Sequence, residues 1–191
     1  MDSFYALRWL GWWQLARTYL DELIDYPARV AQKIGNSREC IALLVNKNIN
    51  SVTEDDVDDA FDRFIYDYSY VDDTITESAA FICVEAEVPY VQNRQIKNMR
   101  IYITVACHKR FMEIDTDIIG GTAGNRRDNL VRYIDKELND SDIFGIGRLS
   151  LKSVKTLSST NQDFSVRELC YEVPDFNLRR DLDESRLRWF T

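Results

Sequence analysis

Two stretches of strict two-residue alternation restrict this chain more than any other feature of its sequence. Ile82, Val84, Ala86 and Val88 fall on one side of an extended segment, and Ile101, Ile103, Val105 and Cys107 fall on one side of the next. Successive side chains of a strand point to opposite faces, so each stretch reads as a strand with one apolar face. Their closeness along the chain makes them neighbours in a sheet. Residues 89–98 (PYVQNRQIKN) between them exceed a tight hairpin and are expected to protrude as a loop. Leu149 and Leu151, alternating with Arg148, Ser150 and Lys152, give a third strand. Leu169, Tyr171 and Val173 give a fourth, which Pro174 is expected to stop, and a polar turn at 158–163 joins these two.

Elsewhere the period is helical. Across residues 4–24, Tyr5, Trp9, Trp12, Trp13, Ala16, Leu20 and Leu23 line one face of a long N-terminal helix, which Pro27 is expected to break. A short helical segment follows at 40–45, then a turn-rich connector at 46–51. Thr53, with Asp56 three residues on and acids in the first turn, starts a helix whose stripe is Val57, Phe61 and Phe64. Asn125 caps another, with Leu130, Tyr133, Ile134 and Leu138 inward. The fold class this predicts is α+β: a small mixed or antiparallel sheet of about four strands packed with helices, with a long N-terminal helix and a C-terminal extension. The expected divisions are an N-terminal helical extension (1–52), a core domain (53–177) and a charged C-terminal tail (178–191).

At 191 residues the chain can bury one substantial core. Its 24 basic against 32 acidic side chains leave a net charge of −8, which argues against a protein that grips the DNA backbone. The cysteines, Cys40, Cys83, Cys107 and Cys170, form no C-x-x-C pair and are expected to be free core thiols. The N-terminus, with Asp2 and Arg8, is unlike a secretory leader, and no run of residues reads as a membrane span.

Candidate chemistry is sparse. His108 is the only histidine, and strand geometry points it away from the adjacent Cys107, so a structural role is expected for it. Asp55, Asp56, Asp58 and Asp59 lack the glycine turn and terminal glutamate of a calcium loop. Glu85 and Glu87 share a strand face, but no lysine follows an acid by two positions as in metal-dependent nucleases. Residues 120–124 (GGTAG), with Arg126 and Arg127, resemble an anion cradle without the ending of a phosphate-binding loop, and read more simply as a loop. No cofactor, no metal and no catalytic residue is expected.

A resemblance adds to this. Residues 65–89 (IYDYSYVDDTITESAAFICVEAEVP), 99–111 (MRIYITVACHKRF), 126–140 (RRDNLVRYIDKELND), 143–154 (IFGIGRLSLKSV) and 167–177 (RELCYEVPDFN) follow in an order and spacing similar to the neck and tail-completion proteins of tailed bacteriophages. That group includes tail terminators and head–tail joining subunits. The resemblance spans 64–177. It implies a non-enzymatic α+β subunit, assembled in the host cytoplasm and resident in the virion neck, that forms a homo-oligomeric ring. The implied partners are other neck proteins, a portal or adaptor and the tail-tube protein, with DNA passing non-specifically through the lumen and no membrane involved.

Ring closure needs two unlike patches per subunit. Four elements are candidates: the N-terminal face with Trp9, Trp12 and Trp13; the 89–98 loop with Tyr90, Gln92 and Arg94; the glycine-rich loop with Arg126 and Arg127; and the tail with Trp189 and Phe190. Two alternatives stand beside the ring. One is a small cytosolic adaptor binding a protein through the Trp face, and the other a metal-dependent phosphoryl-transfer or hydrolytic enzyme using Glu85, Glu87 or the Arg126–Arg127 loop.

Overall fold

The longest alternating run, Ile96–His108 (β3), is paired along both sides. In this computed structural model, which describes residues 22–70, 75–92, 96–115, 117–120, 122–142 and 148–176, β2 (Ala80–Val91) lies antiparallel to one side of β3 and β5 (Phe164–Phe176) to the other. β4 (Ser150–Leu157) adds antiparallel to β5, and the two-residue β1 (Ile65–Tyr66) adds parallel to β2. The result is a mixed sheet of order β1-β2-β3-β5-β4. Its register unites the expected apolar faces: Ile82 stands opposite Val105, Val84 opposite Ile103 and Ala86 opposite Ile101, while Ile103 and Ile101 face Leu169 and Tyr171 on β5.

Helices cover that apolar face. Tyr26, Val30, Ala31 and Ile34 form the inward stripe of α1 (Glu22–Gly35), which packs on β2. In α2 (Arg38–Val45) the run Cys40–Leu44 is buried all round, wedged against α3 (Glu54–Arg63) and α4 (Arg126–Leu138). α4 lies on β3 and β5, where the Tyr171 hydroxyl donates to Asp135 Oδ1 at 2.9 Å. Each fully buried aliphatic side chain contributes about 1.5–3 kcal/mol, so this single cluster dominates the stability.

The structure is α+β, with five strands rather than about four; β1 is too short to show alternation in sequence. Three local readings are corrected. The expected 89–98 loop is a β-ribbon: Tyr90 pairs with Asn98 and Val91 with Lys97, after a bulge between Glu87 and Tyr90. That bulge accommodates Pro89, which has no N–H to give to a ladder. Pro27 does not break a helix but lies inside α1, its side chain buried with Tyr26; burial of that stripe outweighs the roughly 3 kcal/mol an interior proline costs. Pro174 likewise stays within β5, opposite Asn98, beyond the last β4 pairing at Glu172, where one side of β5 is an edge. Residues 22–52, assigned from sequence to the extension, contribute to the same hydrophobic cluster as the sheet. The rest of the expected N-terminal helix and the tail lie outside the described residues.

The start of α3 is built as its sequence predicts. Thr53 Oγ1 accepts from the Asp56 amide, and the Asp56 carboxylate accepts from the Thr53 amide at 3.0 Å. Lys47 Nζ also bonds Asp56. The Lys47 bond and those from Thr53 hold the Asp56 pKa at about 2, against a usual 3.8. A carboxyl whose pKa is depressed in the folded state stabilises fully above its unfolded value and loses that contribution as pH falls. We expect the thermal midpoint to decline between pH 4 and pH 2 in part through this group, and Asp56→Asn to flatten that segment of the curve. Scanning calorimetry across that range checks it.

Candidate interaction surface

One cation organises the helical side of the molecule. Arg126, at the first turn of α4, is 1% exposed, and its guanidinium lies 3.8 Å from the centre of the Phe111 ring. It donates to Phe111 O at 2.7 Å, Glu113 O at 2.9 Å, Leu43 O and Asn46 Oδ1. These acceptors belong to the C-terminal turn of α2 and to the segment leaving β3. A planar, multi-donor cation can join such separate groups, whereas a lysine presents a single point of charge. Burial lowers the Arg126 pKa from its usual value.

The glycine-rich loop is tied down by the same helix. Asn125 accepts from the Asp128 amide at 2.9 Å, and Asn129 Nδ2 donates to Ala123 O at 2.9 Å. Gly124, at φ +95°, takes a conformation that favours glycine there. Arg127 is also buried, bonded to Asp128 and Ser165. Both guanidiniums are buried and bonded within the fold, Arg126 to backbone carbonyls and Asn46, Arg127 to Asp128 and Ser165.

The second face of the sheet carries no helix among the described residues. At one end it is closed by aromatic rings: Tyr66 stacks on Tyr70 at 4.1 Å, Tyr70 meets Phe81 at 5.7 Å and Phe81 meets Phe164 at 5.8 Å. His108 sits in this wall, edge-on to Phe164 at 5.2 Å, with Nδ1 accepting from the Arg110 amide at 3.1 Å. It is buried and structural. At the other end the face is open and polar. Arg100 bonds Tyr102 and lies 3.9 Å from Glu172, Tyr102 also bonds Glu87, and Glu85 and Glu87 are exposed. The sheet places both glutamates on one face, as their spacing predicts, but surrounds them with Tyr102 and Arg100.

Past this open end the β2–β3 ribbon continues to an exposed tip. Tyr90 is 51% exposed, with Val91 and Gln92 exposed beside it. Asn98 Nδ2 donates to the Tyr90 hydroxyl at 2.6 Å, bracing the ring across the strands. Arg94, Trp9, Trp12, Trp13, Trp189 and Phe190 lie outside the described residues. At the far edge of the sheet, Val154 and Leu157 of β4 are 44% and 36% exposed. Sequence reasoning passed over these two, because a strand's place at the edge of a sheet is set by topology and not by its own residues.

Groups with chemical potential are otherwise occupied. All four cysteines are buried and none is in a disulfide, and burial raises the thiols of Cys40 to about 12 and Cys107 to about 11. A depression of about 300 Å³ beside Phe111 contains Lys47, Asp56, Arg63 and Glu77, which pair with one another as Lys47–Asp56 and Arg63–Glu77. No three metal-ligating side chains converge among the described residues, and no helix among them is long and apolar enough to cross a membrane.

The YomW family model matches residues 37–173, from the turn before α2 through all but the end of β5. The chain belongs to the YomW family. The matched span takes in the Arg126 anchor, the ribbon and both open edges of the sheet. The name YomW is typical of a protein from a Bacillus phage region, which makes the chain phage-associated. A search of curated proteins found no match.

Replacing Arg126 tests its place in this architecture. Arg126→Met strips three backbone carbonyls and Asn46 of their donor, and we expect a loss of about 3 kcal/mol, or a fall of about 6–12 °C in thermal midpoint. Arg126→Lys should recover little of it. The exposed Arg132→Met should stay within about 0.5 kcal/mol of the parent by chemical denaturation.

Proposed function

We propose that this YomW-family chain is a structural subunit of a phage particle, forming a closed ring at the neck where head meets tail. It works through surfaces and not through a reaction. The reading is carried by one observation: the family match over 37–173 coincides with most of the span, 64–177, whose segments resemble neck and tail-completion proteins. The geometry is compatible. A ring requires two different patches on each copy, and the sheet ends in two unlike edges, β4 on one side and the stretch of β2 beyond β1 on the other.

The remaining assignments follow from that place. Tyr90 and Gln92 at the exposed end of the ribbon, together with Arg94, are offered to an adjoining component, the portal, an adaptor or the tail tube. Trp9, Trp12, Trp13, Trp189 and Phe190 belong to terminal segments that reach other neck proteins. The net charge of −8 discourages phosphate contacts, as suits a wall past which DNA moves without being held.

Disrupting the gene in a phage that encodes it tests the reading. Filled heads and unattached tails should accumulate, and supplying the protein should restore joined particles. A labelled copy should map to the head–tail junction. Joined, infectious particles made without the protein would overturn it.

A further inference from the structure

The two unlike sheet edges point to how copies meet. β4 has β5 on one side only, and the turn after α4 covers just its beginning, where Asp140 N donates to Leu149 O and Asn139 Oδ1 accepts from Leu151 N. Beyond that, residues 153–157 have no strand on the side away from β5 among the described residues. On the opposite side, β1 pairs only with Ile82 and Cys83, so among the described residues β2 from Val84 onward is likewise an edge. Unpaired backbone donors and acceptors along a strand edge are a template for another strand.

Charge separates the two edges. Residues 148–157 carry Arg148, Lys152 and Lys155 and no acid, whereas β2 carries Glu85 and Glu87 and no base. The face on which the charges stand also agrees. Lys155 is in register with Glu168, Glu168 with Thr104, and Thr104 with Cys83, which puts Lys155 on the same face of the sheet as Glu85 and Glu87. Two β4 edges meeting each other would bring lysines together, and two β2 edges would bring glutamates together. Like charges directly opposed in a sheet are destabilising, and opposite charges stabilise.

We infer that the β4 edge of one copy pairs antiparallel with the open β2 edge of the next, continuing the sheet from subunit to subunit with Lys155 facing Glu85 or Glu87. The inference rests on the ring reading and specifies its interface. Strand direction fits: β2, β3, β5 and β4 alternate, so a further copy related by rotation presents its β2 antiparallel to β4. Faces fit as well, since rotation keeps the helical layer of every copy on one side. Lys155 lies level with Cys83, so reaching Glu85 or Glu87 takes a stagger of two or four residues, about 7–13 Å along the strand. A constant stagger between neighbours means that the strands are tilted to the ring axis, as in closed barrels. The contact is heterologous, so it propagates and closes instead of ending at a dimer.

Charge reversal tests this on the full chain, with assembly followed by sedimentation velocity over a concentration series. Lys155→Glu alone, and Glu85→Lys with Glu87→Lys alone, should each weaken association by about tenfold. All three changes in one chain should restore it, and so should mixing the two defective proteins, because each then supplies the edge that the other lacks. The three positions lie on the solvent side of the sheet, and circular dichroism with thermal melts verifies that every variant is folded. Rings that form equally well in every variant would overturn the edge pairing and leave the ring reading standing. A parent chain that stays monomeric at all concentrations would overturn both.

Discussion

One constraint governs this molecule: a sheet centred on β3 must bury one face, and the helices before and after it in the chain must be held there together. Hydrophobic contact supplies the driving force, through the α1 stripe, the apolar α2 and the inward side of α4. Contact of that kind has little direction. Direction comes from Arg126, which joins the end of α2, the segment following β3 and the start of α4 through one buried guanidinium. Fixing these elements on one face leaves the opposite face without a helix among the described residues, and the exposed ribbon and edges go with that asymmetry.

Much of this was legible in the sequence wherever a residue's environment repeats with a period. The alternation in β2 and β3 predicted that they lie side by side, and the structure sets Ile82 opposite Val105 and Val84 opposite Ile103. The caps at Thr53 and Asn125 announced their helices because a short side-chain acceptor just before the first turn satisfies otherwise orphaned amides. Prolines misled for a physical reason. A proline removes one donor, and whether that matters depends on where the donor would have pointed. Pro89 falls at a bulge, Pro174 beyond the last β4 pairing, and Pro27 in a helix whose burial outweighs its cost. None of this is visible without tertiary structure.

The candidate surface was legible only in part. Tyr90 and Gln92 were expected at a protruding element and are exposed at the ribbon tip. Arg126 and Arg127 beside a glycine-rich loop suggested a charged outer patch, yet both turn inward, because backbone carbonyls at the end of α2 and after β3 required donors. Long-range hydrogen bonding of that sort has no sequence period. The β4 edge went unread for a related cause: being last in a sheet is a property of topology, and Lys155 or Val154 looks the same in a central strand.

In the function we propose, a one-sided sheet is finished by its copies and the ring stands where a phage head meets its tail. Imaging the purified full chain by electron microscopy, with rotational averaging, bears on it most directly. The account predicts closed circular particles of one fixed symmetry around a hole wide enough for a DNA duplex. Isolated single copies, or two-fold pairs without a central opening, would contradict it.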